Sequence, residues 1–220
     1  MMWSYYGSKS KVVKLYPEPS HDKIIEPFAG SARYSLEHWQ NDIVLCDKNP
    51  TIISVWRYLQ NCNKRDLQSL PVLQHGERLS DYNLSQEERN YLGFVVSEGV
   101  STPRNTVTKR AAPKVSHKIQ RTIDILDKIK HWTLVCGDYT EIKNERATWF
   151  VDPPYQNGGE HYPFGNKLDY DKLSAWVKTR NGQVIVCENN QADWLPFVLL
   201  KGHWGGRKHS TELLYLHSDE

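Results

Sequence analysis

Short apolar runs alternate with amphipathic stretches in two parts of the chain. The runs are rich in β-branched and aromatic residues and lie at positions 23–26, 43–46, 132–136, 147–151 and 183–188. Runs of this length between turn residues are typical of buried strands in a parallel sheet. The stretches between them carry apolar residues at helical spacing, at about 32–40, from Pro50 onward and at 171–180. This alternation predicts an α/β fold.

The carboxyl-terminal region shows a different pattern. Residues 197–200 and 212–216 are apolar and flank the glycine-containing segment 202–208. Such spacing predicts a closing antiparallel hairpin, which brings the expected sheet to seven strands. A short helix is expected at 192–198.

The α/β rhythm disappears between residues 61 and 130. Ser85 and Glu88 have the spacing of a capping box at a helix start, and residues 98–110 are polar and indicate an exposed loop. We therefore predict a small, mainly helical subdomain at 61–130. It is inserted into an α/β domain formed by residues 1–60 and 131–220.

Charge is unevenly distributed along the chain. Eight bases and two acids leave residues 100–130 with a net charge of +6, against −4 for the remainder and +2 for the whole chain. Such asymmetry favours contact with a polyanion, and we expect polyanion-binding residues among Arg104, Lys109, Arg110 and Lys114. The alternative is an ordinary solvated helix face, since Val115, Ile119, Ile123 and Leu126 recur at helical spacing.

The composition excludes several protein classes. A hydrophobic content of 39% with 25% charged residues is typical of a soluble globular protein, and no apolar run reaches membrane-spanning length. The four cysteines are widely spaced, which predicts neither a disulfide framework nor a zinc site. Cys46, Cys136 and Cys187 lie in apolar runs and are expected in the core. We predict a cytoplasmic protein without a metal and without a membrane partner.

Acidic residues follow several of the predicted strands. Asp47, Asp138 and Asp152 each come at a strand end, where ligands bind in open α/β sheets. Small residues at 29–32 follow the first strand and allow a ligand to approach the backbone, and an acid after the second strand suits ribose hydroxyls. Glycines at 158, 159 and 165 predict a mobile loop beside this edge.

Asp152-Pro153-Pro154-Tyr155 has a specific chemical use. Prolines cannot continue a strand ladder, so a carboxylate, a carbonyl and an aromatic ring are presented together. The carboxylate and the carbonyl would each accept one N–H of a planar amino group, which makes the nitrogen lone pair available for reaction. The ring of Tyr155 offers a stacking face for a base rotated out of its helix.

The motifs and their order resemble those of the Dam-like N6-adenine DNA methyltransferases. They cover about residues 1–59 and 132–220 and comprise Tyr5-Tyr6-Gly7-Ser8-Lys9, Glu26-Pro27-Phe28-Ala29-Gly30-Ser31-Ala32, Asp47 and Asp152-Pro153-Pro154-Tyr155. The resemblance implies a Rossmann-like, seven-strand sheet in a catalytic domain (1–60 and 131–220) that binds S-adenosylmethionine and methylates adenine in DNA. It also implies that the inserted segment 61–130 is a DNA-recognition subdomain and that its polyanion-binding residues are DNA-binding residues. It also suggests a solitary, phage or restriction–modification enzyme.

The resemblance also implies roles for individual residues. Asp152, Pro153 and Tyr155 would be catalytic. The cofactor would be bound by Tyr5, Lys9, Phe28, Gly30, Asp47, Asp138 and Asp152. Ser8 stands where many members have a second glycine, and Tyr5 where some have tryptophan.

Other reactions use the same chemistry at Asp152. Methylation of cytosine N4, of RNA adenine or of a protein glutamine amide stays open, as does a catalytically silent DNA-binding subunit. The motifs carry no information on the target sequence or the oligomeric state.

Overall fold

The chain divides into two compact units in a computed structural model that describes residues 2–10, 12–200 and 211–218. The helical unit comprises Met1–Ser8 and Pro50–Leu134, and the sheet unit comprises Lys9–Asn49 and Val135–Glu220.

A seven-strand sheet dominates the fold. Its strands are β1 (Lys23–Glu26), β2 (Asp42–Asp47), β3 (Thr133–Cys136), β4 (Ala147–Val151), β5 (Gly182–Asn189), β6 (Val198–Leu199) and β7 (Glu212–Ser218). The strand order is 3-2-1-4-5-7-6. The β1–β2, β1–β4 and β4–β5 pairs are parallel, whereas β7 is antiparallel to both β5 and β6. This arrangement confirms the predicted Rossmann-like sheet with a closing hairpin.

The central strands are buried because helices cover the sheet. All five residues of β4 are buried, as expected for an apolar strand with neighbours on both sides. Trp149 of β4 packs in the core with Leu173 and Val177 of helix α6 (Tyr170–Val177). The other helix of the sheet unit, α1 (Arg33–Glu37), follows the β1 loop. Burial of β4 therefore fixes the position of its carboxyl end.

The helical unit contains four helices among its described residues. They are α2 (Pro50–Asn61), α3 (Lys64–Gln68), α4 (Gln86–Val95) and α5 (Val115–Ile123). Helix α2 packs against α4, and Trp3 contacts both Trp56 and Phe94. The predicted capping box forms, because the Ser85 hydroxyl accepts the Glu88 amide and the Glu88 carboxylate accepts the Ser85 amide.

Two expectations are wrong, and a third concerns residues that the structure does not describe. Residues 192–198 do not form a helix, since Pro196 lacks an amide hydrogen and restricts Leu195. Cys136 is exposed at the end of β3, whereas Cys46 and Cys187 are buried as predicted. The glycine-containing segment 202–208 lies outside the described residues. Among the helices that are described, none has the length and apolarity needed to cross a membrane.

Candidate active site

Asp152 lies immediately after β4, and a buried lysine pairs with it. The Nζ of Lys9 is 2.7 Å from Oδ1 of Asp152, and the Lys9 side chain is 8% exposed. Burial by itself lowers the pKa of Lys9, but the carboxylates of Asp152 and Glu212 more than offset it, and the pKa is raised. Lys9 is therefore a permanent cation beside the candidate catalytic acid.

The Tyr155 ring completes this arrangement. Lys9 Nζ lies 4.4 Å from the centroid of the ring, a distance that allows a cation–π interaction. Three of the residues singled out by the sequence, Lys9, Asp152 and Tyr155, are thus brought together in the sheet unit.

Glu212 is a further acid in this cluster that the sequence analysis missed. Its Oε1 accepts hydrogen bonds of 2.8 Å from the hydroxyls of Tyr155 and Tyr16, and lies 3.7 Å from Lys9 Nζ. Glu212 opens β7 and pairs with Asn189 at the carboxyl end of β5. An antiparallel strand begins at the edge where its parallel neighbour ends. The predicted hairpin therefore contained the signal that places this acid beside Asp152.

The protonation of the cluster follows from its burial. Desolvation raises the pKa of Asp152 to about 6; Lys9 opposes the rise and Glu212 adds to it. Desolvation also raises the pKa of Tyr155, so its hydroxyl keeps its proton and donates to Glu212. At neutral pH, Asp152 is a carboxylate able to accept hydrogen bonds.

The loop after Tyr155 is held by buried groups. The Oε1 of Glu188, at the end of β5, accepts the Gln156 amide at 2.8 Å and the Trp194 indole N–H at 3.0 Å. A Cβ added at Gly165 would collide with the Gly159 carbonyl oxygen, and one at Gly159 would lie 3.1 Å from Pro154. Close packing therefore explains two of the glycines from which a mobile loop was predicted.

The two proline carbonyls differ in their partners. The Pro154 carbonyl accepts the Tyr170 hydroxyl at 2.7 Å. Across the described ranges, no side chain donates to the Pro153 carbonyl. The Pro153 carbonyl, one residue after Asp152, is the second acceptor that the sequence predicts for a substrate N–H.

Asp47 organises a second part of the sheet edge. Its Oδ2 accepts the Gly30 amide at 2.9 Å, and its Oδ1 accepts the Asn49 amide at 2.8 Å. Gly30 and Ala32 both have φ of 43°, so the loop after β1 turns sharply. Burial raises the pKa of Asp47 to about 6, although both amides lower it. A carboxylate offers about four acceptor positions, so two remain for ligand hydroxyls.

Asp138 and Phe28 lie near this loop along the sheet. The Gly137 amide donates to the Asp47 carbonyl at 3.2 Å, which joins the segment carrying Asp138 to the end of β2. Asp138 pairs with Lys48 at 2.9 Å, and the Phe28 ring packs against Tyr139. Asp138 is thus already neutralised by a cation.

The remaining predicted site residues belong to the helical unit. The Tyr5 ring packs against Phe94. Arg110 and Lys114 both pair with Glu98, at 2.5 and 2.6 Å. Arg104 and Lys109 are exposed, and within the part of the chain that the structure describes they have no ion pair. The four predicted DNA-binding residues are therefore not equivalent.

Other bases of the 100–130 segment serve the helices. The buried Lys118 donates to the carbonyls of Val95 and Ser97, and Lys130 donates to those of Gln60 and Cys62. These carbonyls lie at the ends of α4 and α2, where backbone acceptors lack helical partners. Among the residues described, no group of three or more His, Cys, Asp or Glu is placed to hold a metal ion.

Similar proteins were found among solved structures but not among curated sequences. The chain matches no curated protein. It is similar to the solved structure of a conserved hypothetical protein of Streptococcus pyogenes, with 15% identity, a TM-score of 0.38 and coverage of 89% of this chain and 86% of that one. It is also similar to the solved structure of a candidate methyltransferase of Escherichia coli, yhhF. There the identity is 13% and the TM-score 0.39, with coverage of 90% of this chain and 76% of that one.

The amino-terminal part of the chain matches a family model. The model is that of the D12 class N6 adenine-specific DNA methyltransferases, and it matches residues 5–91, which include the Tyr5–Lys9 motif, the Gly30 loop and Asp47. The match confirms the predicted resemblance to the Dam-like N6-adenine DNA methyltransferases over this part of the chain, and it supports a methyltransferase enzyme.

Proposed function

We propose that this enzyme transfers a methyl group from S-adenosylmethionine to the N6 amino nitrogen of adenine in DNA, with the target base rotated out of the helix. The observation that carries the proposal is the cluster of Asp152, the Pro153 carbonyl and the Tyr155 ring at the end of β4. It offers two acceptors and a stacking face at one place, as an extruded adenine requires.

The residues of the sheet edge suit this cofactor. Asp47 keeps two acceptor positions for the ribose hydroxyls, and the Gly30 backbone at its side lacks a side chain that would obstruct a ligand. Phe28 offers a ring next to that loop. When bound, S-adenosylmethionine supplies an electrophilic methyl group whose bond to sulfur breaks as the bond to nitrogen forms.

Asp152 and Pro153 act on the nucleophile. The N6 lone pair of adenine is delocalised into the ring and attacks poorly. Two acceptors that each take one N–H favour a tetrahedral nitrogen, and their hydrogen bonds strengthen as positive charge develops there. Asp152 then holds the proton that the methylated nitrogen releases, and a pKa of about 6 allows it to pass this proton to water.

The DNA would be held partly by the helical unit. Arg104 and Lys109 are exposed and able to meet phosphates at once, whereas Arg110 and Lys114 must first release Glu98. Phosphate contacts of this kind give affinity without sequence preference.

The test is the identity of the methylated nucleoside. After incubation with duplex DNA and methyl-labelled S-adenosylmethionine, digestion and mass spectrometry should give N6-methyladenosine as its deoxynucleoside. N4-methylcytosine, methylated RNA adenine or methylated protein glutamine in parallel incubations would each assign a different acceptor. DNA binding without any methylated product would identify a silent binding subunit instead.

A further inference from the structure

Lys9 faces two carboxylates and compensates both. It is 2.7 Å from Asp152 Oδ1 and 3.7 Å from Glu212 Oε1, and its side chain is nearly buried. An ammonium group has three donor hydrogens, so it can serve both acids. The site therefore holds two acids: Asp152, which is expected to contact the substrate, and Glu212, which contacts Lys9 without contacting the substrate.

Glu212 is also the anchor of Tyr155. An ionised carboxylate only accepts hydrogen bonds, so the Tyr155 and Tyr16 hydroxyls both donate to Oε1. The Tyr155 ring is then fixed at two points, its hydroxyl on Glu212 and its face over Lys9. A ring held in this way is ready to stack on a base without first losing side-chain freedom.

The Asp152–Lys9 pair poses a difficulty for the reaction. Asp152 must accept an N–H from the substrate, yet its carboxylate is already paired with a buried cation. Leaving a buried cation without a partner is costly. A second carboxylate next to Lys9 removes that cost, because Lys9 gains Glu212 as it loosens its contact with Asp152.

We propose that Glu212 is a positioning residue for methyl transfer: it fixes the Tyr155 ring through the hydroxyl and shares Lys9 with Asp152, so that Asp152 is free to accept the substrate amino group. The inference rests on the proposed function and adds a residue to it. Glu212 itself acts only through Tyr155 and Lys9.

Glu212→Gln is the central variant, because it keeps an acceptor oxygen and the size of the side chain while removing the charge. Lys9 is then left to Asp152 alone. We expect kcat to fall by roughly tenfold or more, the size expected for losing a hydrogen bond to a charged group, with KM for DNA changed much less. The acid limb of the kcat–pH profile should shift to lower pH, since Glu212 contributes to the raised pKa of Asp152. A merely structural role would leave that limb in place.

Two tyrosine variants provide a matched pair. Tyr155→Phe and Tyr16→Phe each remove one hydroxyl from the same Glu212 oxygen, but the Tyr16 ring packs against Phe150. We expect Tyr155→Phe to lower kcat by roughly tenfold, the size of one hydrogen bond to a charged group, and Tyr16→Phe to lower it by no more than about twofold. Combining Tyr155→Phe with Glu212→Gln should cost less than the product of the two single losses.

The outcomes separate this inference from the proposed function. A wild-type protein that methylates no DNA adenine overturns the proposed function. A wild-type protein that does so, with Glu212→Gln equal to it in kcat and in pH profile, overturns the role of Glu212 alone. Glu212→Asp keeps the charge and should retain more kcat than Glu212→Gln; the reverse order would also refute the inference. If circular dichroism shows that Glu212→Gln is unfolded, the comparison of Tyr155→Phe with Tyr16→Phe tests the inference instead. Equal losses of kcat in these two variants would exclude a role of Glu212 through Tyr155.

Discussion

Two regions of this protein are rich in charge, and they use it in opposite ways. At the edge of the sheet, Lys9, Asp152 and Glu212 are nearly or partly buried, and Lys9 pairs with both acids. In the 100–130 segment of the helical unit, most bases are exposed. Four of its cations bind backbone carbonyls or Glu98: Arg110, Lys114, Lys118 and Lys130. The first region concentrates charge where chemistry is expected, and the second uses much of its charge to stabilise the fold.

The difference shows when a charge count is informative. The net charge of +6 treats all eight bases of the 100–130 segment as equal. Lys118 and Lys130 cap helix ends. Arg110 and Lys114 share one carboxylate, that of Glu98, which lies just outside the counted range and offsets one of their two charges. A residue whose charge is compensated within the fold contributes little to the field that a polyanion meets.

The largest effect should come from the buried site. Asp152→Ala removes an acceptor that is preorganised for the developing charge on the amino nitrogen, and we expect kcat to fall by about a hundredfold or more. In the unmodified protein, kcat should fall as the pH drops through about 6. Protonated Asp152 has lost the charge that accepts hydrogen bonds from the substrate amino group and from the Lys9 ammonium group. Steady-state methylation across pH 5–8.5 measures both.

Asp169→Ala is a suitable control for this substitution. Asp169 caps α6 through the Lys172 amide and is not part of the Asp152 cluster. It should change stability but leave the pH profile as it is. An Asp152→Ala protein that methylates as fast as the unmodified one would remove the catalytic assignment.

The sequence predicted the sheet well because its pattern is local. Five strands and the closing hairpin follow from short apolar runs and turn residues, and the acids at strand ends follow from the topology that these runs imply. The edge strand β3 was also expected to be buried, but its four residues are exposed or half-buried because it has a neighbour on one side only. The positions of Asp47 and Asp152 at strand ends could be predicted because each directly follows an apolar run. The Tyr5–Lys9 motif needed the family resemblance, since a glycine between aromatic residues and a lysine is common.

Long-range contacts escaped the sequence analysis. Glu212 is bonded to Tyr16 across 196 positions of chain, and nothing local marks it as different from other acids. Its role depends on the antiparallel register of β7 against β5, which brings the first residue of one strand to the last of the other. The predicted helix at 192–198 was wrong for a local reason, since Pro196 lacks an amide hydrogen and restricts the backbone of Leu195.

A second prediction concerns the buried base of the helical unit. Burial lowers the pKa of Lys118 to about 8, whereas an unfolded lysine titrates near 10.5. Below pH 8 the folded protein therefore carries a buried charge at a cost that disappears as the pH rises toward 10.5. After allowance for partial solvent screening, the free energy of unfolding should gain on the order of 2 kcal/mol from this group across that window.

Lys118→Met isolates the effect. The free energy of unfolding of Lys118→Met, minus that of the unmodified protein, should be highest near pH 7 and should decrease between pH 8 and 10. Urea unfolding at each pH measures this difference. The exposed Lys109→Met should show a constant difference over the same range. Parallel curves for Lys118→Met would mean that Lys118 keeps an ordinary pKa.

The smallest effect concerns the exposed bases and refines the charge count. If Arg104 and Lys109 bind phosphates, the double change to Gln should reduce the slope of log affinity against log salt by roughly two units, about 0.9 for each phosphate that is no longer neutralised. Changing Arg110 and Lys114 to Gln should reduce the slope less, because both cations are already paired with Glu98.

Glu98→Gln should then strengthen DNA binding and steepen the slope, since it releases two cations without adding one. Fluorescence anisotropy with labelled duplex DNA at several salt concentrations measures all three variants. The opposite result would be an equal loss of slope in the two double variants and no gain in Glu98→Gln. It would mean that the ion pairs of Glu98 break at no cost, and that the net charge of the 100–130 segment alone predicts its contacts with DNA.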